Sequence, residues 1–363
     1  MATKEVEKLA RKIITIGDKA LMKSSGMSWP PQWPVLSQAG KDSFRAIARK
    51  LADVQLRREQ MLRHDCGGRS QTRQRRQPAQ RAALAQSALP GPRGACRRRP
   101  AAAGGAMSRL VCQFSCGAAS AVATKLTLAD NQPDEVIIVN AFIREEHEDN
   151  RRFLRDCEVW FAHPIIVLSD QTYNASIREV WRRVRFMKGL RGAPCSIRLK
   201  REILNSIQLP GDVKVMGFTS EEADRFERLC DRFPQEWFRA PLIERGITKQ
   251  DCYTMIDRAG IQLPAMYRKG YPNANCRGCV KGGIAYWQSI RDDFPADFAE
   301  TMEIQDGIGP GAYFLRFRSG PRKNERMSLR ELPPGRGDMK AEPEFSCSAA
   351  CELASNEIDR GEP

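Results

Sequence analysis

An alternation of short apolar runs and amphipathic segments after Met107 is the feature that most constrains the fold. The apolar runs predict buried strands, and the segments between them have helical spacing. The predicted strands span residues 110–114, 135–140 and 164–168, and the predicted helices span 118–129 and 149–160. This succession of strand, helix and strand predicts βαβ units around a parallel sheet. Ligands of such sheets bind beyond the carboxyl ends of the strands.

Two stretches of small residues compete as phosphate-binding loops. FSCGAAS, residues 114–120, follows a predicted strand and precedes a helix, so that backbone N–H groups and the positive helix end can meet an anion. AGKDS, residues 39–43, has only Val35 and Leu36 before it, next to a proline. Asp42 and Ser43 are explained as helix-capping residues. We therefore expect phosphate at residues 114–120 and interpret AGKDS as a decoy.

The first 106 residues differ in composition from the rest of the chain. Residues 1–65 predict a helical extension, and residues 66–106 are rich in Arg, Gln, Ala, Pro and Gly, which predicts disorder. The second segment could be a basic arm for nucleic acid, a solvated linker, or translated sequence foreign to the native protein. It contains much of the formal net charge of +15, so that charge is a poor guide to what the folded part binds.

The chain of 363 residues is 41% hydrophobic, which is enough for a sizeable core. No run of eighteen apolar residues is present, and the N-terminus lacks the apolar segment of a signal peptide, so we expect a cytoplasmic protein without a membrane partner. In that compartment the 12 cysteines are expected to be thiols. Isolated ones such as Cys112, Cys157 and Cys230 are predicted to be small buried hydrophobes.

NANCRGCVKGG, residues 273–283, contains a CxxC pair formed by Cys276 and Cys279. Such a turn aims two thiolates at one point, which suits zinc, an iron–sulfur cluster or a redox pair. Further cysteines that could complete a site are Cys195 in GAPCSIRLK and Cys347 and Cys351 in FSCSAAC.

Basic residues near these motifs could neutralise phosphate or sulfonate charge. Lys281, between the CxxC and a glycine pair, is the one we favour. The others are interpreted one by one as surface charge: Arg198, Lys200, Arg268, Lys269 and Arg277. His147 and His163 are acid–base candidates in principle, although a lone histidine is more often a capping or polar residue.

A resemblance to a known family rests on six segments in order along the chain. They are FSCGAASAVATKL, EEHEDNRRFLRDCE, GAPCSIRLK, VMGFTSEEADR, LPAMYRKGYPNANCRGCVKGGIAYW and the C-terminal Cys pair. Together they resemble the phosphoadenosine phosphosulfate (PAPS) reductase family, especially its phage-type members, in the adenine nucleotide α-hydrolase-like (PP-loop) superfamily. The resemblance implies a doubly wound α/β domain with a mostly parallel sheet and a Cys-containing C-terminal region. We expect it at residues 107–352, before a disordered tail at 353–363.

The resemblance also implies that the PP-loop binds an adenine nucleotide, PAPS or ATP. The predicted binding residues are Ser115, Cys116, Gly117, Ala118, Ala119 and Ser120. Ser115, Gly117 and Ser120 match the family pattern SGGxDS, whereas Cys116 replaces a glycine and Ala119 replaces the aspartate. The missing carboxylate disfavours ATP pyrophosphatase chemistry, which needs metal-assisted handling of pyrophosphate. In GFTSEEADRFERL, residues 217–229, Thr219 or Ser220 with Glu222 is either a capping box or part of the loop that lies over the nucleotide in the resembling family.

A cysteine-bound 4Fe–4S cluster or zinc ion is a further implication of the resemblance. Cluster-containing members have a Cys-Cys pair about eighty residues before the CxxC, and here Cys195 stands alone at that place. Cys195, Cys276 and Cys279 are three predicted ligands, with Cys351 as the fourth. Cys347 is the predicted nucleophile that attacks the sulfonate sulfur, and the residues leave an exchange of roles between Cys347 and Cys351 open.

The function implied is thiol-dependent reduction of a sulfonucleotide to sulfite, with Cys347 and Lys281 as catalytic residues and a thioredoxin-like thiol donor as partner. One alternative is ATP-dependent sulfur transfer or nucleic-acid modification within the same superfamily. Another is a non-catalytic nucleotide- or nucleic-acid-binding protein with structural zinc.

Overall fold

Five parallel strands form the central sheet in the computed structural model, which describes residues 109–131, 135–189 and 192–341. The strands are β1 (Leu110–Gln113), β2 (Val136–Phe142), β3 (Ile165–Ser169), β4 (Val213–Val215) and β5 (Trp237–Arg239). Their order across the sheet is β3-β2-β1-β4-β5, and every neighbouring pair is parallel. The chain winds outward from β1 in one direction and from β4 in the other, so the α/β fold is doubly wound.

Helices connect these strands and continue after the last one. In chain order they are α1 (Ala118–Asp130), α2 (Asp149–Phe161), α3 (Ile177–Val184), α4, α5 (Ala223–Arg232), α6 (Pro241–Glu244), α7 (Lys249–Arg258), α8 (Ala265–Arg268), α9 (Ile284–Asp293) and α10 (Pro295–Ile308). Helix α4 has three consecutive parts: Pro194–Ser196, the π-helical turn Ile197–Arg201 and Glu202–Asn205. Single π turns of this kind occur frequently at functional sites.

Shorter elements complete the described part of the chain. They are the 3₁₀ turns Ser220–Glu222, Pro310–Ala312, Leu329–Glu331 and Met339–Ala341 and an antiparallel hairpin of β6 (Leu315–Arg316) and β7 (Arg326–Met327). None of the helices within the described ranges combines the length and apolarity needed to cross a membrane.

The sheet is apolar on both faces. Leu110 and Cys112 of β1 pack on one face with α1, α2, α6 and α7, whereas Val111 faces the other side toward Leu204 of α4. Val111 and Cys112 are both fully buried. Burial on both faces explains why the strands are continuous apolar runs without alternation. Small residues dominate α1, which lies close against several neighbours.

The strand and helix pattern predicted after Met107 is confirmed, with boundaries within two residues. Helices α1 and α2 begin at the predicted residues, and the three predicted strands are β1, β2 and β3. The capping box also forms, because the Glu222 carboxylate accepts the Thr219 backbone N–H at 3.2 Å. Predictions for residues 1–65, 66–106 and 353–363, the decoy AGKDS, Cys347 and Cys351 lie outside the described residues.

Candidate functional site

The loop between β1 and α1 lies at the carboxyl edge of the sheet, next to the point where the winding direction reverses. Its two serines are tied together: the Ser115 N–H donates to Ser120 Oγ at 3.2 Å, and the two hydroxyl oxygens are also 3.2 Å apart. Ser120 Oγ in turn donates to the Gly117 carbonyl at 2.9 Å. These bonds hold the loop in one conformation before any ligand is present.

The N-terminus of α1 is open to an acceptor. Its N-cap residue, Gly117, has no side chain to cap it, and no acidic residue is in its first turn. The Ala118 N–H donates to the hydroxyl oxygen of Tyr267 in α8, at 3.2 Å. A neutral oxygen from a distant segment thus accepts a hydrogen bond where the positive end of a helix favours a negative charge.

Cys116 has an unusual backbone conformation for a side chain of its kind. Its φ of 56° lies in the left-handed region, which only glycine enters without strain. The side chain is fully buried, and Asn140 Nδ2 lies 3.5 Å from its Sγ. Burial raises the pKa of the Cys116 thiol to about 12, so the thiol is protonated at neutral pH. The loop shape typical of a glycine is therefore preserved with a buried, un-ionised thiol in its place.

The loop after β4 packs directly on the start of α1. A Cβ atom added to Gly217 would lie 2.7 Å from the Ser120 nitrogen and 3.0 Å from the Ala119 carbonyl carbon. Only a glycine allows this approach of two backbones. The two loops that flank the reversal point of the sheet therefore form one contiguous surface.

A polar network extends from this loop along the connection between β2 and α2. Asn140 donates to the Phe114 carbonyl at 2.8 Å and accepts from Arg151, at 3.3 Å. Arg151 also pairs with Glu146 at 3.2 Å, and Glu146 pairs with Lys200 of α4 at 3.3 Å. Two cations, Arg151 and Lys200, thus pair with one buried carboxylate close to Cys116.

The same connection also contacts the CxxC segment. The Arg277 N–H donates to the Glu145 carbonyl at 2.9 Å, and Asn150 Nδ2 lies 3.4 Å from the Ala274 carbonyl. Asn150 is fully buried, and its Oδ1 has no hydrogen-bond partner among the described residues. The PP-loop candidate and the CxxC turn are therefore held by one short stretch of chain.

The CxxC turn is built around a tyrosine hydroxyl. Tyr286 donates to the Cys276 carbonyl at 2.7 Å and accepts the N–H groups of Gly278 and Cys279, at 3.2 and 3.0 Å. Gly278 has a φ of 84°, which permits the tight turn. Gly282 leaves room for the same tyrosine, since an added Cβ would lie 2.1 Å from its ring. Lys281, which lies between Cys279 and Gly282 in the sequence, is half-buried.

The three predicted metal ligands that the structure describes, Cys195, Cys276 and Cys279, are buried, but they are not brought together as a metal site. Cys195 and Cys276 belong to one apolar cluster, and Cys279 belongs to another that contains Tyr286 and Trp287. Among the described residues, no group of three or more His, Cys, Asp and Glu side chains is arranged to hold a metal ion. Thiol donors suit zinc or iron over hard cations. With Cys351 outside the described residues, the metal centre stays a prediction.

Most of the other basic candidates take part in ion pairs. Arg198 is exposed and pairs with Glu202, and Arg268 pairs with Asp149. Arg277 pairs with Asp297 and, like Lys269, lies over the Phe294 ring. Lys200 differs from the expected surface residue, because it is buried and bound to Glu146.

The structure also assigns the isolated histidine and cysteines. His147 Nδ1 accepts the Asp149 N–H at 3.1 Å, so it caps the start of α2, and burial lowers its pKa. Cys112 and Cys157 are free thiols and fully buried, as predicted. The prediction for Cys230 is wrong, because this cysteine is half-buried and disulfide-bonded.

Three contributors to the site were missed by sequence reasoning: Tyr267, Gly217 and the network of Asn140, Glu146 and Arg151. Tyr267 is 149 residues from the Ala118 that it contacts, and no spacing rule connects them. Gly217 had a weak signal, since it begins the segment already suspected of covering the ligand.

Comparisons with protein-family models, with curated proteins and with solved structures each found no match to this chain. The function proposed below therefore depends on the geometry of the site and on the resemblance of its motifs.

Proposed function

We propose that the protein binds an adenine nucleotide at residues 114–120 and reduces a sulfonucleotide to sulfite in the manner of PAPS reductases. The observation that carries this proposal is the start of α1, where the first turn has no acidic residue and the Ala118 N–H donates to the neutral hydroxyl oxygen of Tyr267. A phosphate oxygen would replace that neutral acceptor and gain from the helix dipole.

The charge around the loop supports an anionic ligand. Arg151 and Lys200 both pair with the buried carboxylate of Glu146 near the loop, and both cationic side chains are mostly buried. Buried cations interact with an anion more strongly than exposed ones, since less water screens them. Lys281 beside the CxxC turn would meet the sulfonate end of the same nucleotide.

The first turn of α1 supports a sulfonucleotide over ATP hydrolysis. Ala119 stands where the family has an aspartate, and no acidic side chain occurs in that turn. A metal ion bound to pyrophosphate would lack this carboxylate ligand. Binding through backbone N–H groups does not need it.

In the proposed reaction the Cys347 thiolate attacks the sulfonate sulfur of the nucleotide. The S–O bond to phosphate breaks, phosphoadenosine phosphate leaves, and the enzyme holds an S-sulfonate. A thiol of a thioredoxin-like donor then attacks Cys347 Sγ, sulfite leaves with the electron pair of the S–S bond, and a second donor thiol resolves the mixed disulfide. A zinc ion or iron–sulfur cluster held by the four thiolates of Cys195, Cys276, Cys279 and Cys351 would have no net positive charge, and its role would be to join these segments near the nucleophile.

Nucleotide titration of the wild type, Gly117→Val and Gly40→Val tests the binding site. A Cβ on Gly117 would lie 3.3 Å from the Tyr267 hydroxyl and 3.5 Å from Ser115 Oγ, so valine methyl groups enter the space of the ligand. We expect Gly117→Val to weaken the binding of phosphoadenosine phosphate at least about 100-fold, which is equivalent to about 3 kcal/mol of binding free energy. Gly40→Val should bind like the wild type, because it alters only the decoy loop.

Two outcomes would contradict the proposal. A loss confined to Gly40→Val would move the site to AGKDS, and adenosine binding as tightly as phosphoadenosine phosphate would mean that phosphate is not recognised. Sulfite release from PAPS with a dithiol donor then separates reduction from simple binding.

A further inference from the structure

The hairpin formed by β6 and β7, residues 315–327 and here called the basic hairpin, has a strong excess of positive charge. Residues 109–314 contain 28 basic and 28 acidic side chains, whereas the basic hairpin contains five basic and one acidic. Its five cations are Arg316, Arg318, Arg322, Lys323 and Arg326, and all five are exposed. The positive charge is thus concentrated on a single projecting element.

The basic hairpin is a preformed element. Leu315 and Met327 are opposite each other and are buried in the apolar cluster that contains Tyr286 and Trp287. In its loop the Phe317 N–H donates to the Glu325 carbonyl at 3.1 Å, and the Asn324 N–H donates to the Phe317 carbonyl at 2.9 Å. The apolar residues anchor the base of the hairpin and leave the charged residues in solvent.

Arg316 and Arg326 are paired directly across the two strands. Like charges in this position destabilise a sheet. Both guanidinium groups donate to backbone carbonyls, of Asn324 and Gly311. Neither they nor Lys323 forms an ion pair with any residue that the structure describes. An anion between the strands would remove this repulsion.

Arg322 and Phe317 indicate how such a ligand is recognised. Arg322 is neutralised by Glu325 and Glu331, and its guanidinium covers the Phe317 ring at 4.2 Å from the centroid. The aromatic face is therefore occupied and is not available to stack on a base. What remains is uncompensated positive charge, which contacts phosphate without reading sequence.

We propose that the basic hairpin binds the phosphodiester backbone of a nucleic acid, independently of the nucleotide site, through Arg316, Lys323 and Arg326. Each strand of a nucleic acid presents permanently ionised phosphates at regular spacing, which matches several unpaired cations on one rigid element. Binding is independent of sequence and steeply dependent on salt.

The test measures the full-length chain against labelled 20-nucleotide single-stranded DNA, duplex DNA and RNA of mixed sequence, over a range of salt concentrations. The hairpin variant Arg316→Gln, Lys323→Gln, Arg326→Gln is compared with a control variant Arg155→Gln, Arg182→Gln, Arg258→Gln. The control side chains are also exposed and lie elsewhere, so the two variants have the same net charge. Both variants keep the basic residues of the N-terminal segment. Any contribution of that segment to nucleic-acid binding is therefore the same in the two variants and does not affect the comparison.

For the duplex we expect the slope of log K against log salt to fall by about 2.7 in the hairpin variant, since each lost phosphate contact contributes about 0.9. The affinity near 0.1 M salt should fall on the order of 100-fold, and the control variant should retain its slope within about one. Lys323→Gln alone, at the exposed loop, should lower the slope by about 0.9 without disturbing the fold. Arg316→Lys with Arg326→Lys should preserve the slope, because the charge is kept.

Equal losses in the hairpin and control variants would overturn the proposal, because net charge alone would then explain binding. An unchanged slope in the hairpin variant, or a loss in the lysine variant as large as in the glutamine variant, would also overturn it. Hairpin-dependent binding of polyglutamate but of none of the nucleic acids would identify an acidic protein as the partner instead.

Discussion

Small residues at three positions shape the candidate nucleotide site. Gly217 brings one loop onto the start of α1, Gly117 leaves the space in front of that helix open, and Cys116 holds a left-handed turn although it has a side chain. The Cys116 thiol is fully buried and un-ionised, so we interpret it as a structural part of the loop and not as a nucleophile. Reactivity in the proposed chemistry belongs to a different cysteine.

Gly217→Ala should disturb this arrangement more than its size suggests. The added Cβ would lie 2.7 Å from the Ser120 nitrogen and 2.8 Å from its Cα, and these are backbone atoms that cannot turn aside. We expect a loss of about 1–3 kcal/mol in the free energy of unfolding, together with weaker nucleotide binding. Urea unfolding and titration of phosphoadenosine phosphate measure the two effects.

Gly307→Ala is the matched control for that substitution. Gly307 lies near the end of α10, and a Cβ added there would meet no atom within 4 Å beyond its chain neighbours and the adjacent backbone of the helix, so alanine should be neutral or slightly stabilising. If both alanine variants unfolded at the wild-type urea concentration, the two loops could separate without cost and the close approach would not matter.

The short helix α8 contributes directly to the candidate nucleotide site, although it is a single turn. It places the Tyr267 hydroxyl at the start of α1, yet four residues cannot form a stable helix alone. Asp149 at the start of α2 holds it: the carboxylate accepts the Ala265 N–H at 2.7 Å and pairs with Arg268. An ionised carboxylate therefore helps to hold α8, and with it Tyr267, in place.

Asp149→Asn should therefore remove an acid-sensitive part of the stability. Hydrogen bonds from Arg152, and then from the Ala265 N–H, lower the pKa of Asp149 to about 2. Because the pKa of Asp149 is lower in the folded state, its ionised carboxylate stabilises the fold above a pH of about 4. This contribution to the free energy of unfolding is lost as the pH falls toward about 2 and the carboxylate becomes protonated. At pH 7 we expect the variant to be less stable by up to about 2 kcal/mol, and the difference should vanish near pH 2.

Urea unfolding of the wild type and the variant across this pH range makes the comparison. Asp156→Asn is the control, because Asp156 also pairs with Arg152 but makes no contact with α8 among the bonds described. A difference between wild type and Asp149→Asn that stayed constant down to pH 2 would mean that the charge of Asp149 does not hold α8.

At the scale of the whole molecule, charge and chemistry are distributed unevenly along the chain. Residues 1–108 contain 22 basic and seven acidic side chains, and residues 109–363 contain 37 of each. The net charge of +15 therefore belongs entirely to the first 108 residues. The predicted metal ligands, in contrast, are spread over 157 positions from Cys195 to Cys351. They could form one site only if folding brought these distant segments together.

If Cys276 and Cys279 bind the same metal centre, substitution of either one should have the same effect. Cys276→Ser and Cys279→Ser should each lose the metal and lower the thermal stability, because metal binding contributes to folding free energy. Cys112→Ser should keep the metal, because Cys112 is in the core beneath α1. Protein purified without air should be brown, absorbing near roughly 400 nm, for an iron–sulfur cluster and colourless for zinc.

Metal analysis of Cys195→Ser, Cys347→Ser and Cys351→Ser then separates ligands from the nucleophile. A ligand variant loses metal, whereas a nucleophile variant keeps metal and loses sulfite release from PAPS. No metal in the anaerobic wild type, or undiminished metal in both CxxC variants, would exclude the centre.

The periodicity of the chain after Met107 was enough to predict three strands, two helices and the candidate loop between β1 and α1. These features are local: apolar side chains repeat along a few residues, and a strand followed by small residues and a helix has few other solutions. For the same reason the capping box at Thr219 and Glu222 could be predicted, since its two partners are three residues apart. Chain order alone did not give the later strands β4 and β5 or the hairpin, which are two or three residues long.

Contacts between residues far apart in the chain had no such signal. Tyr267 on Ala118, Gly217 on Ser120 and Lys200 on Glu146 each join separate elements, and their partners are selected by packing and by the need to satisfy buried polar groups. Lys200 illustrates the difference: as a sequence it is one of several surface cations, but the π turn of α4 directs it to a buried carboxylate. Hydrogen bonds and ion pairs depend on which groups are close in space. The tertiary structure therefore decided these partners, since the sequence alone does not say which distant residues meet.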